Sequence, residues 1–398
     1  MALLNLRYAV VDLASGEVEE RDLPEGILSI DMFDQVDSIL REHGNAFAIG
    51  SGLATGSFVP AACGGFLRVL GDAPSLERTC FLTGGIGPEL KFTGFDLLII
   101  KNAAAEPGYV WVRDGIAEFV PSPTLTAKDS WERTDTIRAD QGDRKIQVLT
   151  VGPWGEAGSA HSQLVANYWS GEDRRGFAAE FGRRNLLALA MRGMGEVELE
   201  DPEGHFETSN EIRARHLSTL GTSGGLASFC EVAGGQGFAD LRHRDVACFG
   251  CPYPCRTFYK VAEDPKTMAL ESKEPGYLTY DTVAVEGMAA RGMPARDTVS
   301  IMMACARVGV DPLHVVDSVM AAGNDVTTDT IRPVLSGQVI SEAAGPRPAG
   351  LFDGLLDEPS MSLCLQLGLC PRYWSRVGLD VSAISVAVEK ASGVSLDL

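Results

Sequence analysis

Positive charge is scarce in this chain: 34 Lys and Arg stand against 54 Asp and Glu, a formal charge of −20 over 398 residues. Polyanions repel, so non-specific binding to nucleic acid or to an anionic membrane is disfavoured. No run approaches the roughly 18 uninterrupted apolar residues that a membrane span needs. The amino-terminal stretch has no basic n-region, and Asp12 interrupts its only apolar run. A secretory signal is therefore not expected, and the protein reads as cytoplasmic. There is no P-loop, no dinucleotide fingerprint and no Ser-His-Asp order; the turn at Gly84 and Gly85 is expected to precede a strand rather than open a helix. Internal repeats and low-complexity tracts are also missing.

What is there is globular. With 45% hydrophobic and 22% charged residues, the chain has enough apolar surface for more than one core. Alternation over residues 6–13 followed by Ser15-Gly16 predicts a strand and turn, and residues 95–100 form a short apolar run typical of a buried strand. Residues 109–112 followed by Asp114-Gly115 predict a hairpin, and residues 148–151 another buried strand. From about residue 208 the texture turns helical, with apolar residues at three- and four-residue spacing in 210–220, 282–290 and 298–308. The polar turn at 201–204 marks the expected boundary. The reading is α+β: a β-rich domain over residues 1–205, then one or more helical domains over residues 206–398.

Nine cysteines is an odd number for a chain without a signal, which favours metal or cluster ligation over a disulfide framework. Three lie in Cys248-Phe-Gly-Cys251-Pro-Tyr-Pro-Cys255, where Gly250, Pro252 and Pro254 force a loop that can turn three sulfurs to one centre. Thiolates suit clustered iron or zinc, and spacing alone leaves both open. A zinc ribbon would supply a second close C-x2-C pair; here the remaining cysteines are single and distant. Cys370, between a glycine-containing turn and a proline, is the chosen fourth ligand, with Cys364 the other candidate. Cys63, Cys80, Cys230 and Cys305 sit among apolar residues and read as small core side chains.

Several segments carry a resemblance. Gly84-Gly-Ile-Gly-Pro-Glu-Leu-Lys91-Phe-Thr-Gly-Phe-Asp96 and the cysteine loop resemble signatures of the aldehyde ferredoxin oxidoreductases, a family of tungsten- or molybdenum-pterin enzymes. Residues 45–56, 151–156, 182–189, 308–311 and 367–370 match in the family's order. The resemblance implies a β-domain cradling the pterin, helical domains behind it, and a 4Fe-4S cluster on Cys248, Cys251, Cys255 and Cys370 that passes electrons to ferredoxin. It also implies Gly84, Gly85, Lys91, Arg174 and Arg175 as cofactor-binding residues, a small organic substrate such as an aldehyde, and a homodimer.

The departures bear on function. Where relatives offer aspartates to the pterin, this chain has Ala306 and Leu365, and the family's glycine-rich cofactor segment is Arg174-Arg175-Gly176-Phe177-Ala178. Buried pterin donors left unpaired cost about 1–3 kcal/mol each, which argues against retention of the tungstopterin. The connection between Leu335 and Leu365 is also short, and the family's Gly-Gly-Arg-Gly is missing around residues 28–33. Candidate acid–base groups are Asp281, Glu286 and Glu89, with a helix-start carboxylate as the alternative for Asp281 and a plain surface pair for Glu89. Three functions stay open: a cluster-using oxidoreductase; a repurposed enzyme without pterin that catalyses isomerisation, elimination or hydration; and a non-catalytic electron-transfer protein.

Overall fold

The computed structural model describes residues 3–24, 32–70, 79–170, 174, 176–220, 224–261, 276–337 and 350–395. A first six-stranded mixed sheet holds β1 (Arg7–Asp12), β2 (Val18–Asp22), β3 (Ala46–Ser51), β4 (Gly65–Val69), β5 (Thr79–Leu82) and β6 (Leu97–Lys101), in the order β2-β1-β6-β3-β4-β5. Two helices accompany it, α1 (Met32–His43) and α2 (Ile86–Phe92). A second six-stranded sheet follows, from β7 (Gly108–Arg113), β8 (Ile116–Pro121), β9 (Gln147–Val151), β10 (Leu164–Ala166), β11 (Trp169–Ser170) and β12 (Leu186–Arg192), in the order β11-β10-β9-β12-β7-β8. Its helices are α3 (Ser130–Gln141), α4 (Pro153–Glu156) and α5 (Phe177–Arg183).

The first sheet is buried on both faces because its strands alternate between two cores. Tyr8, Val10, Ala46, Ala48, Leu97 and Ile99 join a core shared with the carboxy-terminal helices. Their neighbours Ala9, Val11, Phe47, Ile49, Leu98 and Ile100 join a second core shared with the other sheet. Side chains point to opposite faces at a period of two, so a one-residue slip would exchange the two cores. Each fully buried Val, Leu or Ile contributes roughly 1.5–3 kcal/mol, which makes that register expensive to change.

The remaining chain is mainly helical: α6 (Pro202–Leu220), α7 (Gln236–Ala239), α8 (Thr282–Ala290), α9 (Ala295–Val308), α10 (Pro312–Ala321), α11 (Thr328–Leu335), α12 (Glu358–Leu367), α13 (Pro371–Val377) and α14 (Val381–Ser392). It also contains an unexpected three-stranded antiparallel sheet of β13 (Arg242–Val246), β14 (Arg256–Lys260) and β15 (Gly276–Thr279). This sheet positions the cysteine loop. Two other expectations need correcting. The turn at Gly84 and Gly85 opens helix α2 rather than a strand, with Gly85 at its N-cap. Pro88 is tolerated inside the first turn, and the buried Ile86 and Leu90, four apart, share a face. Helix α6 begins inside the supposed polar turn, where Asp201 accepts the Gly204 N–H at 2.9 Å and Pro202 occupies the first helical position.

Two backbone seams join the halves. Leu53 and Ala54 donate N–H groups to the carbonyls of Gln366 and Leu367, both at 2.9 Å. A Cβ on Gly52 would lie 2.0 Å from the Gly368 nitrogen, so the chains meet with no room for a side chain. At the second seam a Cβ on Gly152 would lie 2.2 Å from the carbonyl carbon of Val308.

Lys91 braces the first seam. It is 3% exposed and donates to the carbonyls of Gly52 at 3.2 Å and Leu53 at 3.0 Å. Burial pushes its ammonium down to about 8 from 10.5, against the attraction of Asp96. Between those values the unfolded chain binds more protons, so the stability contribution is present above 10.5 and is lost as pH falls through about 8. Urea unfolding from pH 8 to 10.5 should show stability rising with pH in the native protein and a shallower rise in Lys91→Met. Equal slopes would remove Lys91 as the source.

Candidate functional site

The nine residues 247–255 connect β13 to β14, and the Val246 to Arg256 register pair closes the loop at its base. Arg256 reinforces the closure by donating from Nη2 to the Ala247 carbonyl at 2.6 Å. Within the loop the Cys251 N–H donates to the Cys248 carbonyl at 3.2 Å, and the Cys251 thiol lies 3.4 Å from the Tyr253 carbonyl oxygen. Cys248, Cys251 and Cys255 are partly buried and pack on the core that contains Cys63 and Cys370.

Cys370 caps helix α13 and is 7% exposed, and its N–H donates to the Ala61 carbonyl at 3.0 Å. Burial raises its thiol well above the usual value, and the sulfurs of Cys255, Cys251 and Cys248 raise it further. Cys364 lies on α12, and burial alone pushes its thiol up to about 12. Cys370 therefore feels the loop sulfurs, whereas the shift at Cys364 carries no trace of them. Among the described residues no group of three or more His, Cys, Asp or Glu side chains is already set to hold a metal ion. The thiols are gathered without being closed on a centre.

Cys248 is the most polarised of them. The neighbouring Cys63 thiol, with the Arg256 and Arg372 guanidiniums and the Gly84 N–H, holds its thiol below the usual value against burial. Cys63 is fully buried in the core on which the loop packs, as expected of a small core side chain. The Gly84 turn meets this loop twice, since the Gly84 carbonyl also accepts the Phe249 N–H at 3.2 Å.

The other predicted residues are placed as follows. Asp281 caps α8, accepting the Ala284 N–H at 2.9 Å on one oxygen and Arg174 Nη2 at 2.5 Å on the other. Arg174 Nε also donates to Asp311 at 2.9 Å, while its buried Nη1 has no hydrogen-bond partner among the described residues. Arg175 lies outside the described residues. Glu286 is exposed on α8 and contacts Cys230. Glu89 accepts the Gly193 N–H at 2.8 Å and pairs with Arg192 at 3.2 Å, while burial raises its carboxyl. Gly85 is the α2 N-cap, and Lys91 serves the first seam.

A pocket of about 820 Å³ lies beyond this ion-pair network, lined by Trp154, His161, Val308, Leu335 and the surrounding turns. The Asp311 N–H donates to the His161 carbonyl at 2.9 Å, linking Arg174 to the pocket wall. The ring of His161 stacks on His314 at 3.7 Å, and among the described residues neither nitrogen of the buried His314 has a hydrogen-bond partner. Burial, with the His161 charge, lowers His314 to about 4. Neither histidine had a spacing signal that singled it out.

Residues 8–193 match the family model for the aldehyde ferredoxin oxidoreductase N-terminal domain. It is 29% identical over 197 residues to the tungsten-containing aldehyde ferredoxin oxidoreductase of Pyrococcus furiosus, a match covering 48% of this chain and 31% of that protein. For the enzyme of the same name from Thermococcus kodakarensis the values are 26% over 216 residues, 50% and 34%. The matched segment thus spans about a third of the curated relatives' length. The active-site complex BamBC of benzoyl coenzyme A reductase, solved with 1,5-dienoyl-CoA, superposes with a TM-score of 0.67 at 16% identity, covering 98% of this chain and 64% of that one. That likeness shows the fold.

Among the described residues no helix is long and apolar enough to cross a membrane.

Proposed function

We propose that this chain is an iron–sulfur oxidoreductase on the aldehyde ferredoxin oxidoreductase scaffold, with Cys248, Cys251, Cys255 and Cys370 holding a 4Fe-4S cluster. The observation that carries the reading is the convergence of a proline-kinked loop with one residue more than a hundred positions later, in a shared electrostatic environment. A cluster there supplies one-electron transfer. The chain's own groups do the rest: Arg256, Arg372 and the Gly84 N–H stabilise negative charge on Cys248, and burial limits solvent access.

The residues present do not furnish a family-type pterin site. Ala306 and Leu365, 2% and 5% exposed, offer no acceptors, and Arg174 is engaged by Asp281 and Asp311. Backbone meets backbone at the Gly52 and Gly152 seams. The substrate we assign is therefore a small, largely apolar organic molecule in the pocket beside His161, which is placed to exchange a proton there. An aldehyde remains the substrate named by the relatives, and a ferredoxin their named electron partner.

Elemental and sulfide analysis of anaerobically purified protein tests this. About four iron and four sulfide per chain, without tungsten or molybdenum, is the expected result. Zinc or no metal defeats the cluster assignment, and stoichiometric tungsten or molybdenum defeats the pterin-free part. Iron whose signal does not respond to any substrate or reductant would transfer the assignment to a non-redox reaction such as hydration or isomerisation.

A further inference from the structure

The wall of the pocket beside α4 ends on a ring whose two faces differ. His161 is partly exposed and lines the pocket, whereas His314, 4% exposed, lies against it with the two rings 3.7 Å apart and within 9° of parallel. One face of His161 is therefore covered, and the pocket meets its edge and its other face. Trp154, also in the wall, meets His314 edge-on at 5.7 Å, and its Nε1 donates to the Leu335 carbonyl at 3.1 Å, which ties α4 to the end of α11. The plane of His161 is fixed before any ligand arrives. Its N–H donates to Ser159 Oγ at 3.2 Å, its carbonyl accepts the Asp311 N–H at 2.9 Å, and the next residue, Ser162, bridges to Val310. A ring held in this way has little freedom left to lose on binding. His314 is uncharged near neutrality, since burial lowers it to about 4. Among the described residues that line the pocket there is no Lys, Arg, Asp or Glu.

We propose that the pocket binds an uncharged planar ring, stacked on the face of His161 turned away from His314. The inference rests on the reading of this pocket as the substrate site and narrows it to neutral aromatic or fully conjugated cyclic compounds, against saturated rings and against carboxylates or phosphates. Flat rings gain from offset stacking on an aromatic face beyond the area they bury, and a saturated ring of the same size does not. Val308 and Leu335 supply apolar wall for the rest of such a molecule. With no lysine or arginine in that lining, an anionic substituent would give up its hydration without gaining a fixed partner.

The test uses the full chain, purified anaerobically, with benzyl alcohol and cyclohexylmethanol as neutral probes of similar size and benzoate as the charged one. Affinities are read at pH 8 from the concentration dependence of the NMR saturation transferred from protein to probe. Benzyl alcohol is expected to bind about threefold to tenfold tighter than cyclohexylmethanol, and tighter than benzoate. His161→Phe keeps a flat ring and should keep that preference, whereas His161→Leu keeps an apolar side chain without a ring face and should remove it. Thermal unfolding of both variants checks that they are folded, and the comparison of probes on the native protein stands without them. Equal binding of the two neutral probes to native protein overturns the proposal, as does a preference that persists in His161→Leu, or tighter binding of benzoate. In each of those cases the pocket still binds a small organic molecule, so the substrate-site reading survives; if no probe binds, that reading fails and this proposal with it.

Discussion

On the proposed cluster assignment, Cys370→Ala is expected to abolish bound iron and sulfide with the accompanying visible absorption, whereas Cys364→Ala leaves them intact. The two cysteines are six residues apart and both buried, at 7% and 0% exposure, so burial does not distinguish them. Their surroundings do. Cys370 occupies the N-cap of α13, where it makes no side-chain capping bond, and burial with the three loop sulfurs raises its thiol; Cys364 lies in the last turns of α12, where burial raises its thiol. Removing one of four ligands from a cubane leaves an open iron site, and hydrogen bonds to the remaining sulfurs do not replace a ligand. Thermal unfolding of both variants, freed of metal, separates loss of ligation from loss of packing, since either truncation removes one buried sulfur. Iron retained by Cys370→Ala and lost from Cys364→Ala would reverse the assignment.

Much of the fold could be read from the chain because strong local periodicity and tertiary burial agree. Residues 6–13 alternate, and the strand they form does divide its side chains between two cores. The hairpin at Asp114-Gly115 likewise follows from turn chemistry, with Asp114 and Gly115 both at positive φ. Helix α2 was less legible because seven residues give hardly two turns of pattern, and Pro88 argues against a helix until it falls in the first turn. The small sheet around the cysteine loop was hidden by composition: Arg242-His-Arg-Asp-Val246 has few apolar residues because β13 is largely exposed. Its pairing with β14 is what makes it a strand.

The candidate site divides along the same line. Glycine and proline between three cysteines are a local signal, so the loop was visible. Cys63 was legible as core from Ala61, Ala62, Gly64 and Gly65 around it, and it is fully buried there. His161 and His314 are brought together across 153 residues by the turn after α9, and nothing at either position anticipates a stacked pair. Asp311 is similar: its role appears only once Arg174 arrives from the loop before α5.

That arrival carries the second large expectation. Arg174→Met should destabilise the protein by about 3–5 kcal/mol in urea titration, because it strands two carboxylates rather than removing one contact. The side chains of Arg174, Asp281 and Asp311 are 2%, 15% and 5% exposed, so water cannot take over the lost partnership. Asp311→Asn added to Arg174→Met should recover part of the loss, since the second change removes the charge that the first left unpaired. Sequence resemblance placed Arg174 among the cofactor contacts, and the same experiment weighs that role. A guanidinium reserved for an anionic cofactor would leave the metal-free protein nearly as stable after substitution. One that clamps α8 and α10 through their N-cap carboxylates would lower the stability of metal-free and metal-loaded protein alike. Its single unpartnered nitrogen, Nη1, is then all that Arg174 has left to offer a ligand.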